Sequence, residues 1–479
     1  MFKLNKKTIP FWTLTIAIFI TVIVPSLIQE GMFMDGLLYL GVSKNLAQDI
    51  GTFWEPIFSY TWEISGSTSF HEQPQLGFGI QSLFFKTFGF SIYVERLYAF
   101  IIASITAVLI TKIWKVVNGG KLSNVNWLPL ILWVTIPMSF WSIHNNVLEN
   151  TLSLFTLAAI LALTKAMINH KRVILNLVFG GLFIFLASFT KGVPGLFPLA
   201  FIPIYWIVYR KHPIKKAITW SVIPLATLIF IYFIMLTINE GAYKSFEFYI
   251  NERLIGRLGN SPTVDSRFWI LGKLTLETIP LFVMSLIVGF IIKIKKLDIL
   301  INYKNVLFFT LIGFSASLPL MLTMIQRTFY FAPALPFFGI AAAFVIGPFL
   351  SSVILNLSIT SLKFRYIKLV SITFLLVSLA LSISSIGKIR RDEVIINDIK
   401  TLSTLIPYNT TIKTTPKVKR QWSNQVYAMR YHNLHLDSKK GDAEYYLVYK
   451  GTEVKKSDLD LVDLDLKLFK LYRSKTPNE

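Results

Sequence analysis

Hydrophobic and polar positions fall into long blocks along this chain. Eleven apolar runs approach or exceed the roughly 20 residues that a membrane-crossing helix needs. They are 10–28, 93–117, 127–143, 149–167, 173–189, 193–209, 217–238, 268–292, 306–325, 328–350 and 367–386. Several are short or contain proline, at Pro129, Pro137, Pro198, Pro203, Pro333 and Pro336, which leaves their boundaries soft. Two stretches interrupt the pattern. One is a polar island, 29–92, after the first run. The other is the tail after Gly387, charged and rich in tyrosine.

The tail predicts a helix over DEVIINDIKTLSTLI, followed by short strands in TIKTTP, QVYAMRYHNLHL, EYYLVYKG and LDLKLFKLYRS, where apolar and polar residues alternate. Within the island, Leu37, Leu38, Leu40, Val42 and Leu46 predict an amphipathic helix lying at the membrane interface. The segment 76–88 is apolar and aromatic, and is expected along the same surface. The predicted fold is an all-α polytopic membrane protein of about eleven transmembrane helices with a large first extracytoplasmic loop. A small α/β extracytoplasmic domain follows. The domains are 1–387, which includes the 29–92 loop and its interfacial helices, and 388–479.

Composition sharpens this picture. The 479 residues are 53% hydrophobic and only 15% charged, against about 25% charged in soluble domains. The net charge of +22 would raise nucleic acid as a partner in a soluble protein. Here the cations sit in short loops between apolar runs, so no nucleic-acid partner is expected. With the N-terminus inside, the inner loops hold Lys112/Lys115/Lys121, Lys165/Lys171/Arg172, Arg210/Lys211/Lys215/Lys216, Lys293/Lys295/Lys296/Lys304 and Lys363/Arg365/Lys368, as the positive-inside rule requires. This places the N-terminus in the cytoplasm and the tail outside a cytoplasmic (inner) membrane. Residues 1–7 are basic, but no small-x-small site follows the first run, so that run reads as a retained helix and not a cleaved signal. The absence of cysteine excludes disulfides, thiol chemistry and cysteine-based metal sites.

The alternate, outer loops hold the residues that need explaining. Asp35 follows the first run and serves equally well as a helix N-cap or as a functional carboxylate. Glu72 precedes Pro74 in FHEQP, and taken alone is a loop carboxylate in water. Glu149, in HNNVLEN, opens a helix whose dipole favours it. Lys191, in FTKGVPGL, sits where the positive-inside rule disfavours a cation, unless it snorkels to the interface. Glu252, Arg253 and Arg257 lie in FEFYINERLIGRLGNSP, and Arg327 and Tyr330 in IQRTFYFAPALP. Carboxylates in the first two outer loops and cations in the next three share one membrane face. Transfer from a phosphate-linked donor needs such a set: a base takes the acceptor's proton, and cations stabilise the charge on the departing phosphate.

The stretches MDGLLYLGVSKNLAQDIGTFWEP and FHEQPQLGFGIQSLFFKTFGFSIYVERL resemble the N-terminal region of the GT-C superfamily. More closely, they are similar to its lipid A aminoarabinose transferase and protein O-mannosyltransferase branch (glycosyltransferase family 39-like). TKGVPGL and RTFYFAPALP also look like motifs of that family, so the resemblance covers about the first 350 residues. It implies a membrane enzyme that takes a sugar from a polyprenyl-phosphate donor outside the cytoplasm and inverts the anomeric centre. Asp35 matches the family's proposed base or acceptor-orienting residue, and Glu72 the carboxylate of the second motif. Glu149 falls near a further acidic position, and Lys191, Arg327 and Tyr330 match positions near the donor phosphate. Two departures bear on the sugar and the acceptor. The second motif reads Glu72-Gln73-Pro74 where the aminoarabinose branch has Glu-Lys-Pro. The fourth outer loop reads Asn251-Glu252-Arg253, with no histidine ligand. Arg253 or Arg257 would then replace a metal's charge, so no cofactor and no divalent metal is predicted.

The expected function is therefore a glycosyltransferase of the cell envelope. Its partners are a polyprenyl-phosphate-linked sugar, an acceptor lipid, glycan or protein, and the bilayer. Asp35, Glu72 and Glu149 form the catalytic set. Lys191, Glu252, Arg253, Arg257, Arg327 and Tyr330 bind substrate and phosphate. A transporter or flippase of a lipid-linked sugar is the rival, and a non-catalytic assembly subunit the third reading. Transporters place ionisable groups near the membrane midplane, often in repeated halves. These groups cluster at outer helix ends, and the sequence has no internal repeat.

Overall fold

In hydrocarbon a chain must satisfy its backbone polar groups within each segment, which leaves the helix as the form for long apolar runs. The computed structural model describes residues 6–62, 67–169, 172–256, 262–439, 443–454 and 458–475. Arg257 lies outside the described residues. Among those residues the helices are α1 (Ile9–Ile28), α2 (Met34–Ala47), α3 (Leu76–Phe88), α4 (Ile92–Asn118), α5 (Leu128–Val134), α6 (Pro137–His144), α7 (Leu148–Asn169), α8 (Val173–Lys191) and α9 (Phe201–Tyr209). They continue with α10 (Ile214–Ile238), α11 (Glu240–Phe248), α12 (Trp269–Ile294), α13 (Tyr303–Ser317), α14 (Leu335–Leu355), α15 (Leu362–Ile383), α16 (Glu393–Leu402), α17 (Pro416–Arg420) and α18 (Trp422–His432).

Among the described residues, nine of the eleven apolar runs appear as helices long and apolar enough to cross a membrane. The other two show where proline acted. Run 127–143 is split at Thr135–Ile136, and its halves, ending in α5 and α6, meet at a 72° bend. Run 193–209 is a 3-10 stretch, Val193–Ala200, leading into the short α9. The protein is thus a multi-pass membrane protein.

The chain divides into two compact units: Met1–Ile28 with Arg96–Ile386, and Gln29–Glu95 with Gly387–Glu479. In the first, small residues let helices approach. Gly181 meets the backbone of Pro224, and Gly180 meets Leu163. Ser378 on α15 donates to the Ala17 carbonyl on α1 at 3.0 Å. Trp114 and Phe344 pack at the core with ring centroids 4.5 Å apart.

The second unit shows three features, the third of which corrects an expectation. First, the polar island groups with the tail and not with the spanning helices. The cause is direct bonding: the Tyr427 hydroxyl donates to the Met32 carbonyl at 3.2 Å, and Lys400 pairs with Glu30 at 2.7 Å. Second, α2 does not present one apolar face. It is buried almost all round, Ser43, Lys44 and Asn45 included, because α3, α18 and the loop at 57–58 each cover a side. Third, QVYAMRYH is helix α18 and not strand; Ser423 to Arg430 are all buried, so no alternation of faces exists there. Strands β1 (Thr411–Thr414), β2 (His435–Asp437), β3 (Tyr445–Tyr449), β4 (Leu459–Val462) and β5 (Phe469–Ser474) form one sheet in the order β2-β1-β3-β5-β4. β1 is parallel to both its neighbours, and the β3-β5-β4 side is antiparallel. Buried Asp398 on α16 fastens the sheet by accepting from the backbone nitrogens of Lys467, Leu468 and Phe469 at 2.7, 2.7 and 3.1 Å.

A buried ionic group joins α2 to α18. Arg430 pairs with Glu95. Lys44 donates to the Arg430 carbonyl and to Asn433 Oδ1, both at 3.1 Å, and lies over the Tyr408 ring. Burial, and then the Arg430 cation, lower the Lys44 pKa from 10.5 to about 7, with Glu95 opposing. Between about pH 7 and 10.5 the unfolded chain therefore holds a proton that the folded chain does not, and this contribution to stability grows with pH. The melting temperature of the wild type should accordingly rise more between pH 7 and pH 9 than that of Lys44→Met. Parallel pH profiles for the two proteins would contradict this.

Candidate active site

The first unit brings together residues from three of the loops between apolar runs. Glu149 is the second residue of α7 and Lys191 the last of α8. Their side chains form an ion pair at 2.6 Å, and both are buried, at 1% and 6% exposure. Lys191 therefore does not snorkel into water. Two aromatic rings cover it: its ammonium lies 5.3 Å from the centre of the Tyr330 ring and 5.8 Å from that of Phe329, distances at which a ring face attracts a cation. Trp141 on α6 stacks on Phe329 at 5.8 Å, extending the wall. A lysine ammonium has three donors, so the pair with Glu149 leaves capacity for a further acceptor.

Local sequence explains how the lysine is held. After Lys191 the chain turns at Gly192, in the left-handed region at φ +72°, and a Cβ there would collide with the Tyr249 hydroxyl. At Gly195 a Cβ would collide with the backbone of Ala187 and Ser188. The TKGVPG motif is thus a close backbone turn that only glycine fits at both points. Tyr249 opens a π-helical turn, Tyr249–Ile255, which carries Glu252, exposed, and Arg253, half-buried. π-turns are rare and recur at functional sites. Arg327 is exposed and opens the 3-10 stretch Thr328–Ala334, in which the Tyr330 nitrogen donates to the Arg327 carbonyl at 3.0 Å.

The second unit holds Asp35 and Glu72, both half-buried. Phe33 occupies the N-cap of α2, so Asp35 is not the cap; it sits in the first turn, where the helix dipole still favours a carboxylate. Glu72 lies just before α3 in the turn His71–Pro74. Buried His71, beside it, accepts at Nδ1 from Gln75 Nε2 at 3.3 Å, and burial lowers its pKa to about 4. The neighbour of Glu72 is therefore a neutral imidazole at physiological pH.

Two residues absent from the sequence reading shape the first unit's site. Glu277, inside α12, accepts from the Met138 nitrogen at 2.8 Å and so satisfies the start of α6 after the break. A lone carboxylate in an apolar run was the available signal. Gln326 is buried and uses its whole side chain: Nε2 donates to the carbonyls of Arg267 and Thr323 at 3.0 and 2.9 Å, and Oε1 accepts from the Ile270 nitrogen at 3.0 Å. It fixes the loop from which Arg327 and Tyr330 start, and a glutamine in a polar loop carries no such signal. Among the described residues no three histidine, aspartate or glutamate side chains lie together.

The pairing makes a prediction. Glu149→Gln should leave a buried, uncompensated lysine and cost about 3–5 kcal/mol, read as a lowered melting temperature. The double variant Glu149→Gln/Lys191→Met should regain most of that stability. Wild-type melting of Glu149→Gln would show that the two residues are not paired in a dry site.

No family model and no curated protein sequence matches the chain. Solved structures do. ArnT from Cupriavidus metallidurans bound to undecaprenyl phosphate superposes with a TM-score of 0.65 at 11% identity, covering 96% of this chain and 97% of that one. The apo form of the same protein gives a TM-score of 0.64 at 11% identity, over 95% and 96%. The oligosaccharyltransferase from Archaeoglobus fulgidus in its apo form gives 0.54 at 12% identity, over 89% of this chain and 64% of that one. Identities this low establish likeness of architecture, and that likeness runs through nearly the whole chain, spanning helices and C-terminal sheet alike: the protein has the GT-C fold.

Proposed function

We propose that the protein is an integral membrane glycosyltransferase that moves a sugar from a polyprenyl-phosphate donor to an acceptor hydroxyl. The observation that carries this reading is the buried Glu149–Lys191 pair under the Tyr330 and Phe329 rings, in a fold shared with a protein solved bound to undecaprenyl phosphate. A desolvated ammonium held in place by a carboxylate suits a phosphate that gains charge as its bond to the sugar breaks. Lys191 is the proposed phosphate ligand, aided by Arg253, Arg257 and Arg327, with Tyr330 as a hydrogen-bond donor. Glu72, Glu149 and Glu252 are proposed to orient sugar or acceptor hydroxyls.

In the proposed step the acceptor oxygen attacks the anomeric carbon and the carbon–oxygen bond to phosphate breaks. The acceptor proton passes to Asp35, and polyprenyl phosphate leaves with the bonding pair. A single displacement inverts the anomeric centre. The reaction is proposed for the extracytoplasmic face, with the N-terminus in the cytoplasm, because the basic loops alternate with those that carry the site residues.

A flippase for the same lipid is the second reading, and the 72° break between α5 and α6 favours it, since transporters use broken helices at their binding sites. One assay separates the two. Protein in nanodiscs is given a panel of polyprenyl-phosphate sugars, with acceptor-containing membrane extract, and free polyprenyl phosphate is measured. Wild type should release it from one donor, and Asp35→Asn should be slower by about a hundredfold or more. Equal release by both would remove Asp35 from the chemistry. Donor movement across a vesicle bilayer without release would establish the flippase.

A further inference from the structure

A groove with cations at its end lies in the first unit, away from Lys191 along the chain. From Lys191 the chain runs through Val193–Ala200 and α9 to Arg210, then turns into α10 at Ile214. Between α9 and α10 is an apolar groove of about 420 Å³, lined by Pro203, Trp206 and Ile207 on one side and Ile214, Ile218 and Leu225 on the other. It arises because α9 is only 9 residues long beside the 25-residue α10, and α10 packs mainly on α8. A helix of that length cannot cover its longer neighbour.

The groove ends in a cluster of cations. Arg210, in the left-handed region at φ 51°, lays its guanidinium 3.8 Å from the Trp206 ring centre. Lys216 stands over Trp220 at 4.5 Å and Lys211 over Tyr209 at 5.5 Å. Lys215 is exposed beside them. Trp206 Nε1 donates to the His212 carbonyl at 3.0 Å and so locks the turn. No aspartate or glutamate occurs in the sequence between Glu149 and Glu240, and among the described residues none of these four cations forms an ion pair. A stacked guanidinium keeps its N–H edge free for an anion, and aromatic rings beside cations suit the boundary between headgroup and acyl chain.

We propose that this groove binds an anionic phospholipid, one acyl chain lying between α9 and α10 and the phosphate meeting Arg210, Lys215 and Lys216. The inference does not depend on the proposed transferase activity. The cations supply the preference for an anionic headgroup, and the groove supplies the preference for a lipid over free phosphate.

The test is lipid retention by the full chain in native mass spectrometry, with phosphatidylglycerol and phosphatidylcholine of identical acyl chains supplied in equal amounts. Wild type should retain phosphatidylglycerol selectively. Arg210→Gln/Lys215→Gln/Lys216→Gln should lose that preference, by roughly fivefold for each charge removed. Ile218→Trp, which fills the groove at an exposed position, should reduce retention of both lipids. These are surface changes and should leave the melting temperature unchanged. Equal retention of the two lipids by wild type, or a preference that survives the triple variant, would overturn the proposal. So would unaltered retention in Ile218→Trp.

Discussion

Removing an ammonium and a carboxylate from water at one place is costly, and the first unit is arranged around meeting that cost. Glu149 and Lys191 come from the start of one helix and the end of the next, so their backbones are adjacent without a long loop. The pair is tolerated because each charge neutralises the other and the ammonium faces aromatic rings. Those rings depend on a loop that Gln326 holds by its buried amide. The turn after Lys191 depends on two glycines that admit Tyr249 and the α8 backbone. Any larger residue at either point would move the lysine. Packing therefore holds the pair in place, which is what the proposed electrostatic role requires.

The break between α5 and α6 follows from the same solvent. Pro137 lacks an N–H, and Met138, the next residue, would face hydrocarbon with an unsatisfied donor. Glu277 accepts that donor from a neighbouring helix. A carboxylate inside an apolar segment thus supports the half-helix that carries Trp141, and Trp141 in turn stacks on Phe329 beside Lys191. A residue deep in the helices reaches the site through two contacts.

How much of this the sequence disclosed depends on the kind of signal. Spanning helices were legible because hydrophobicity is recorded along one dimension; the run 127–143 was legible as an apolar run, but its break was not, since a proline in such a run is compatible with either a bend or a plain helix start. The strand reading failed in QVYAMRYH, though it held in the strand β2 that follows, because a helix buried on most sides shows no periodicity to distinguish it from a strand. The same lack of a wet face turned α2 from an expected interfacial helix into a buried one. Glu149 and Lys191 were each visible as odd residues in outer loops, but 42 positions separate them in sequence, and no local rule joins them. Asp398 and Gln326 were silent, because a buried carboxylate or amide that satisfies backbone groups looks like any surface polar residue until the fold surrounds it. The grouping of the 29–95 segment with the tail was equally hidden, since it rests on pairings such as Glu30 with Lys400.

The central claim is that Lys191, held by Glu149, is where the donor's phosphate rests. The most direct measurement is an electron cryomicroscopy structure in nanodiscs with undecaprenyl phosphate added. The account predicts a phosphate oxygen within roughly 2.7–3.2 Å of Lys191 Nζ, with the Glu149 pair intact and the Tyr330 ring alongside. A well-ordered phosphate beyond hydrogen-bond reach of Lys191, with the lysine still closed on Glu149 alone, would contradict it.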